Sequence, residues 1–237
     1  YACSHALRKA CCCRKAACLK LKLIGERTRS LPVDLKPKCE RMKIYMRLGN
    51  IMIFGDSYST YEGYIPEGFE VYYSGHRQKA PDIFDVKDTW WGRVIEATGA
   101  KLVQNNSWSG STIGYTGWHG KDCSHSSSFI YRFETLLKEG FFERNKIDTL
   151  FVFGGTNDSW SQAPLGELKD GNIEESDLFC VLPAINHFAK CLAQELPDTK
   201  VIFIGNCGIK SEVTDAISDA CTKHGFCYHP RRAVCTI

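Results

Sequence analysis

A serine hydroxyl, a bare backbone amide and a side-chain carboxamide stand at three widely spaced points of the 237-residue chain: Ser57, Gly110 and Asn157. Acyl transfer requires such parts. A hydroxyl attacks the carbonyl carbon once a base takes its proton, and hydrogen-bond donors hold the oxyanion that forms. Ser57 lies in Gly55-Asp56-Ser57, directly after the apolar run Ile51-Met52-Ile53-Phe54. Gly110 lies in Ser107-Trp108-Ser109-Gly110-Ser111-Thr112, where the missing side chain lets a substrate approach the N–H. Asn157, in Gly154-Gly155-Thr156-Asn157-Asp158, can add a carboxamide N–H, and the Ser57 N–H is a third donor. One such donor is worth roughly 3 kcal/mol of barrier. The candidate base is His229, in the late pair His229-Pro230. Gly-Asp-Ser alone is equally an ordinary turn, with Asp56 ordering it and Asp158 capping or bracing the third run.

These points can meet only where the chain brings them to one edge. Apolar runs at 51–54, 101–105, 147–153 and 201–204 read as strands, the first buried on both faces. Helical periodicity follows each of them. Asp88-Thr89 caps a helix with Trp91, Val94 and Ile95 on its apolar face and Gly99 behind it. A second covers 128–139, with Phe129, Phe133, Leu136 and Leu137 on one side. Pro183 opens a third with Ile185, Phe188, Leu192 and Leu196 inward, and 211–224 forms a fourth that stops at Gly225. The order βαβαβαβα implies a parallel sheet with right-handed crossovers. The first three strands then end, at their carboxyl edge, in the three polar runs, and that edge is where an open α/β sheet forms its crevice. Residues 58–85, rich in Gly, Pro and aromatics, read as a long loop over one side.

Charge divides the chain unevenly. Residues 1–41 carry 11 Lys/Arg against 3 Asp/Glu and six of the 13 cysteines; residues 42–237 carry 19 against 24. The leader lacks structural periodicity and an uninterrupted signal-type apolar run, and reads as translated sequence upstream of a start near Met42 or Met46, outside the fold of 42–237. The mildly acidic body gives no reason to expect nucleic acid as a partner, and no stretch approaches the 18 or so apolar residues of a membrane helix. The body's cysteines are scattered singly, which suits a reducing, cytoplasmic setting. Cys221, His224, Cys227, His229 and Cys235 match no usual zinc spacing, so no metal or other cofactor is expected. Trp108 and Trp160, each close to a proposed donor, read either as packing residues or as platforms for a sugar ring.

The three ordered runs resemble the successive blocks of the SGNH/GDSL hydrolase superfamily: Gly55-Asp56-Ser57, Gly110 as the block-two glycine, and Gly155-Thr156-Asn157-Asp158 as the third block. The resemblance covers about residues 50–225. It implies a flavodoxin-like three-layer α/β/α sandwich, Ser57 as nucleophile, Gly110 and Asn157 as oxyanion donors, and hydrolysis of acyl or acetyl esters of carbohydrates or lipids. The wording around Thr89-Trp90-Trp91, Asn105-Asn106-Ser107 and Ser159-Trp160 is similar to bacterial members. The family's last block, Asp-x-x-His, is not matched: Phe226 stands three residues before His229. No fifth strand is expected before His229, and the C-terminal strand and helix read as missing. The rival expectation is a binding module that keeps the crevice and turns nothing over.

Overall fold

The computed structural model describes residues 48–76 and 83–230, which fall in one compact unit. The basic leader, residues 77–82 of the long loop, and Cys235 lie outside the described residues.

Five parallel strands form one sheet in the order β2-β1-β3-β4-β5. They are β1 (Asn50–Gly55), β2 (Lys101–Ser107), β3 (Thr149–Phe153), β4 (Lys200–Ile204) and β5 (Cys227–His229). β1 is a near-continuous apolar run because it is covered twice. Ile51 and Ile53 face the helix α1 (Trp90–Thr98). Met52 and Phe54 face α2 (Phe129–Lys138), α5 (Val181–Glu195) and α6 (Ser211–His224), with Leu150, Val152, Val201 and Phe203 beside them. Two short helices, α3 (Phe141–Arg144) and α4 (Thr156–Trp160), complete the set. The result is the three-layer α/β/α arrangement expected.

Helix boundaries follow their caps. Thr89 Oγ1 accepts from the Gly92 N–H at 2.9 Å, and Gly99 closes α1 in the left-handed region at φ 71°. Ser128 Oγ accepts from the Tyr131 N–H at 3.2 Å and opens α2. Gly225, at φ 70°, stops α6.

Register decides where the polar runs emerge. Gly55 pairs with Ser107 on one side and with Phe153 on the other. Asp56, Trp108 and Gly154 therefore leave the sheet at one level, on neighbouring strands. The fold brings three separate sequence segments to a single edge.

One expectation is overturned. A fifth strand exists, and His229 is its last residue, paired with Ile204 of β4. It was invisible as a pattern because three residues are too few to alternate. Cys227 and His229 are exposed on the outer edge, and only Tyr228 turns in, packing with Phe226 against the core. A helix following it would fall outside the described residues.

Candidate active site

Asp56 begins the turn after β1. Its Oδ1 accepts from the Tyr58 N–H at 3.0 Å and caps a single helical turn, Ser57–Ser59. Ser57 is thereby held at the first position of that turn, partly exposed, and its Oγ has no hydrogen-bond partner among the described residues. The turn can approach β2 closely only because position 55 is glycine. A Cβ there would lie 2.5 Å from Ser59 Cβ and 2.8 Å from Ser107 Oγ.

Gly110 follows β2 at φ 81°, a conformation that side chains rarely adopt. Its neighbours are committed: Trp108 N–H to Gly55 O at 3.0 Å, Ser109 N–H to Glu70 O at 2.8 Å, Ser111 N–H to Trp108 O at 3.2 Å. The Gly110 and Ser57 N–H groups donate to no other described residue. Asn157 sits on α4, buried, and its Nδ2 donates to Ser111 O at 2.8 Å while its Oδ1 accepts from Trp118 Nε1 at 3.1 Å. A primary amide carries two N–H bonds, so one remains. Asp158, beside it, braces the block-two loop: its carboxylate accepts from Ile113 N–H at 2.9 and 3.0 Å and from Gly114 N–H at 3.2 Å. Asp56 orders the turn as expected, whereas Asp158 braces the loop after β2 rather than capping or bracing its own run.

Two residues that sequence reasoning passed over hold these parts in place. Arg132, on α2, is 3 % exposed. Its Nη1 donates to Asn106 O and to Asn106 Oδ1 at 2.7 Å, its Nη2 to Ser111 Oγ at 3.3 Å and Gly55 O at 3.4 Å, and its Nε to Ser127 O at 3.0 Å. The guanidinium also lies over Phe54 and Phe129, 4.5 and 4.7 Å from their ring centres. It ties the ends of β1 and β2 to the block-two loop. The other is Trp118, bonded to Asn157. Of the tryptophans noted in the sequence, Trp108 stacks on Phe69 with ring centres 4.2 Å apart, whereas Trp160 is half-exposed, gives its N–H to Gly208 O and packs against Tyr58.

Among the described residues no hydrogen bond joins His229 to Ser57. His229 ends the edge strand, three strand spacings or roughly 14 Å from β1. Its side chain is exposed on the sheet face shared with Ile204. Among the described residues no cluster of His, Cys, Asp and Glu could hold a metal ion, and no helix is long and apolar enough to cross a membrane.

Buried charge makes the site's stability depend on pH. Burial pushes the Asp56 carboxyl up to about 7; the Tyr58 N–H, the nearby Thr156 hydroxyl and Arg132 offset part of this, and Asp158 adds to it. Burial likewise raises Asp158 to about 6 against its two backbone donors. Asp56 Oδ2 has no partner in hydrogen-bond geometry, which fits a carboxyl holding its proton. Both groups bind protons more tightly folded than unfolded, so stability falls as pH rises from about 4 through 7 and levels off near 8. His187 and His224, lowered mainly by burial, act in the opposite sense below about 6.5. The urea midpoint is therefore expected to drop between pH 6.5 and 8, and to drop less in Asp56→Asn. Equal slopes for the two proteins would show that Asp56 is ionised throughout.

With fold and site in view, comparison with known proteins places the chain. It belongs to the GDSL-like lipase/acylhydrolase family, whose model matches residues 49–229, and is thus an ester-hydrolysing enzyme of the α/β class. A Bacteroides ovatus protein named for its likeness to GDSL lipases is 33% identical over 80% of this chain and 88% of its own, with a TM-score of 0.71. A similarly named Bacteroides uniformis protein is 34% identical over 76% and 81%, at 0.68. A Lactobacillus plantarum protein, 17% identical over 80% of each chain at 0.53, shares the fold. No curated protein sequence matches.

Proposed function

We propose that the chain is a serine esterase in which Ser57 attacks an acyl, including acetyl, ester of a carbohydrate or lipid-like alcohol. The Ser57 and Gly110 N–H groups and the free Asn157 Nδ2 hydrogen then take the oxyanion. One observation supports this: the segments that carry Ser57, Gly110 and Asn157 leave neighbouring strands at one level, and the Ser57 and Gly110 N–H groups, one Asn157 Nδ2 hydrogen and the Ser57 hydroxyl have no hydrogen-bond partner among the described residues. Buried groups are normally paired, and donors left open beside a hydroxyl suit an incoming oxygen. The partner is a small-molecule or carbohydrate ester. The similarity to the two Bacteroides proteins supports a bacterial source.

No described side chain accepts from Ser57 Oγ. His229 enters as base only if the edge strand's end moves toward β1. A fluorophosphonate probe tests the nucleophile without requiring deacylation: digestion and mass spectrometry are expected to find the adduct on Ser57. An unlabelled protein with its circular dichroism intact would leave the rival, a crevice that binds an acyl or glycan ligand without turning it over.

A further inference from the structure

We propose that Trp118 is a positioning residue that fixes which way the Asn157 carboxamide faces; this rests on the esterase reading above. A side-chain amide can sit either way round, and only one orientation offers an N–H to a substrate oxygen. Here the indole Nε1 donates to Oδ1 at 3.1 Å, and Ser111 O accepts from Nδ2 at 2.8 Å. A flipped amide would set its NH2 against the indole N–H and its oxygen against a carbonyl oxygen. Both contacts would turn repulsive, so the observed orientation is locked and one Nδ2 hydrogen stays available. The same indole lies against the other proposed donor: its Cδ1 stands 3.9 Å from where a Cβ on Gly110 would be.

The backbone around Trp118 is shaped to present it. Thr116 bridges to Asp122, and the Gly117 N–H donates to Lys121 O at 2.7 Å. The turn between is closed by the Lys121 N–H on Trp118 O at 3.2 Å, with His119 at φ 59° and Gly120 at φ 72°. Two successive left-handed residues make the mirror-image turn that suits a tight hairpin, and His119 adopts it without a glycine's freedom. Trp118 is 38% exposed, so burial does not explain its place. What the hairpin tip does contribute is the indole N–H delivered to Asn157.

Trp118→Phe keeps a ring and removes the donor. On p-nitrophenyl acetate its kcat is expected to fall about tenfold with KM unchanged, less than the 10²–10³ lost with a whole oxyanion donor. The chain's five tryptophans give five indole N–H resonances; Trp118→Phe identifies its own by loss, and Asn157→Ala is expected to shift that one alone. A KM rise that accounts for the whole loss would make Trp118 a substrate wall and overturn the proposal. So would an indole resonance indifferent to Asn157→Ala. The resonance arm does not depend on turnover. If release proves independent of Ser57, the esterase reading fails while the clamp is still decided.

Discussion

Ser57→Ala is expected to bring p-nitrophenyl acetate hydrolysis down to the buffer rate, with no loss of stability. The separation follows from the geometry. Ser57 Oγ makes no hydrogen bond to any described residue, and the turn is held by the Asp56 carboxylate and by backbone bonds, Ser59 N–H to Asp56 O and Thr60 N–H to Ser57 O. Removing the hydroxyl therefore removes chemistry and leaves the cap. In a complete triad the nucleophile is worth up to about 10⁶ in turnover. His229→Ala supplies the companion measurement. Groups that act as a unit fail together, so an equal loss would assign His229 as the base. From its place on the edge strand, a near-unchanged rate is expected. Turnover equal in Ser57→Ala and the parent would remove Ser57 from the mechanism.

Arg132→Leu is expected to lower stability by about 3–5 kcal/mol, the usual cost of removing one partner from a buried charged network. Leucine fills the space between Phe54 and Phe129 but leaves the carbonyl oxygens of Asn106, Ser127 and Gly55 without the guanidinium donor, and Asp56 without the positive charge that offsets part of its burial. Burial already pulls the guanidinium down to about 9, with Asp56 offsetting part of that shift, so desolvation is high even with partners present. Lysine cannot serve five acceptors from one nitrogen, and Arg132→Lys is expected to fall between the two. Thermal unfolding reads the result directly. At about 2–4 °C per kcal/mol for a domain of this size, Arg132→Leu corresponds to roughly 10 °C. A shift of a degree or two would mean that water replaces the lost donors.

The sheet edge was legible in the sequence because each of the first three strands announces itself and ends in a polar, glycine-containing run. Ser57, Gly110 and Asn157 stand on neighbouring strand exits for that reason. The supports were harder to see. Arg132 was passed over because arginine is by habit a surface residue, yet its spacing from Phe129, Phe133 and Leu136 puts it on the buried stripe of its own helix, a signal that was available. Trp118 had no such signal. Its bond spans 39 residues to Asn157 and depends on a hairpin that no periodicity marks. The fifth strand escaped for a third reason: an edge strand three residues long, two of them exposed, has the composition of a tail.

The carboxylate of Asp158 joins the loop after β2 to the exit of β3 through two main-chain amides buried with it. A loop hooked in this way cannot fray on its own, since releasing it would strand an acidic group in the interior. Heat should thus silence the crevice and melt the sheet in the same cooperative step, and inactivation below the melting temperature would have to begin elsewhere, on the hairpin tip or the outer strand.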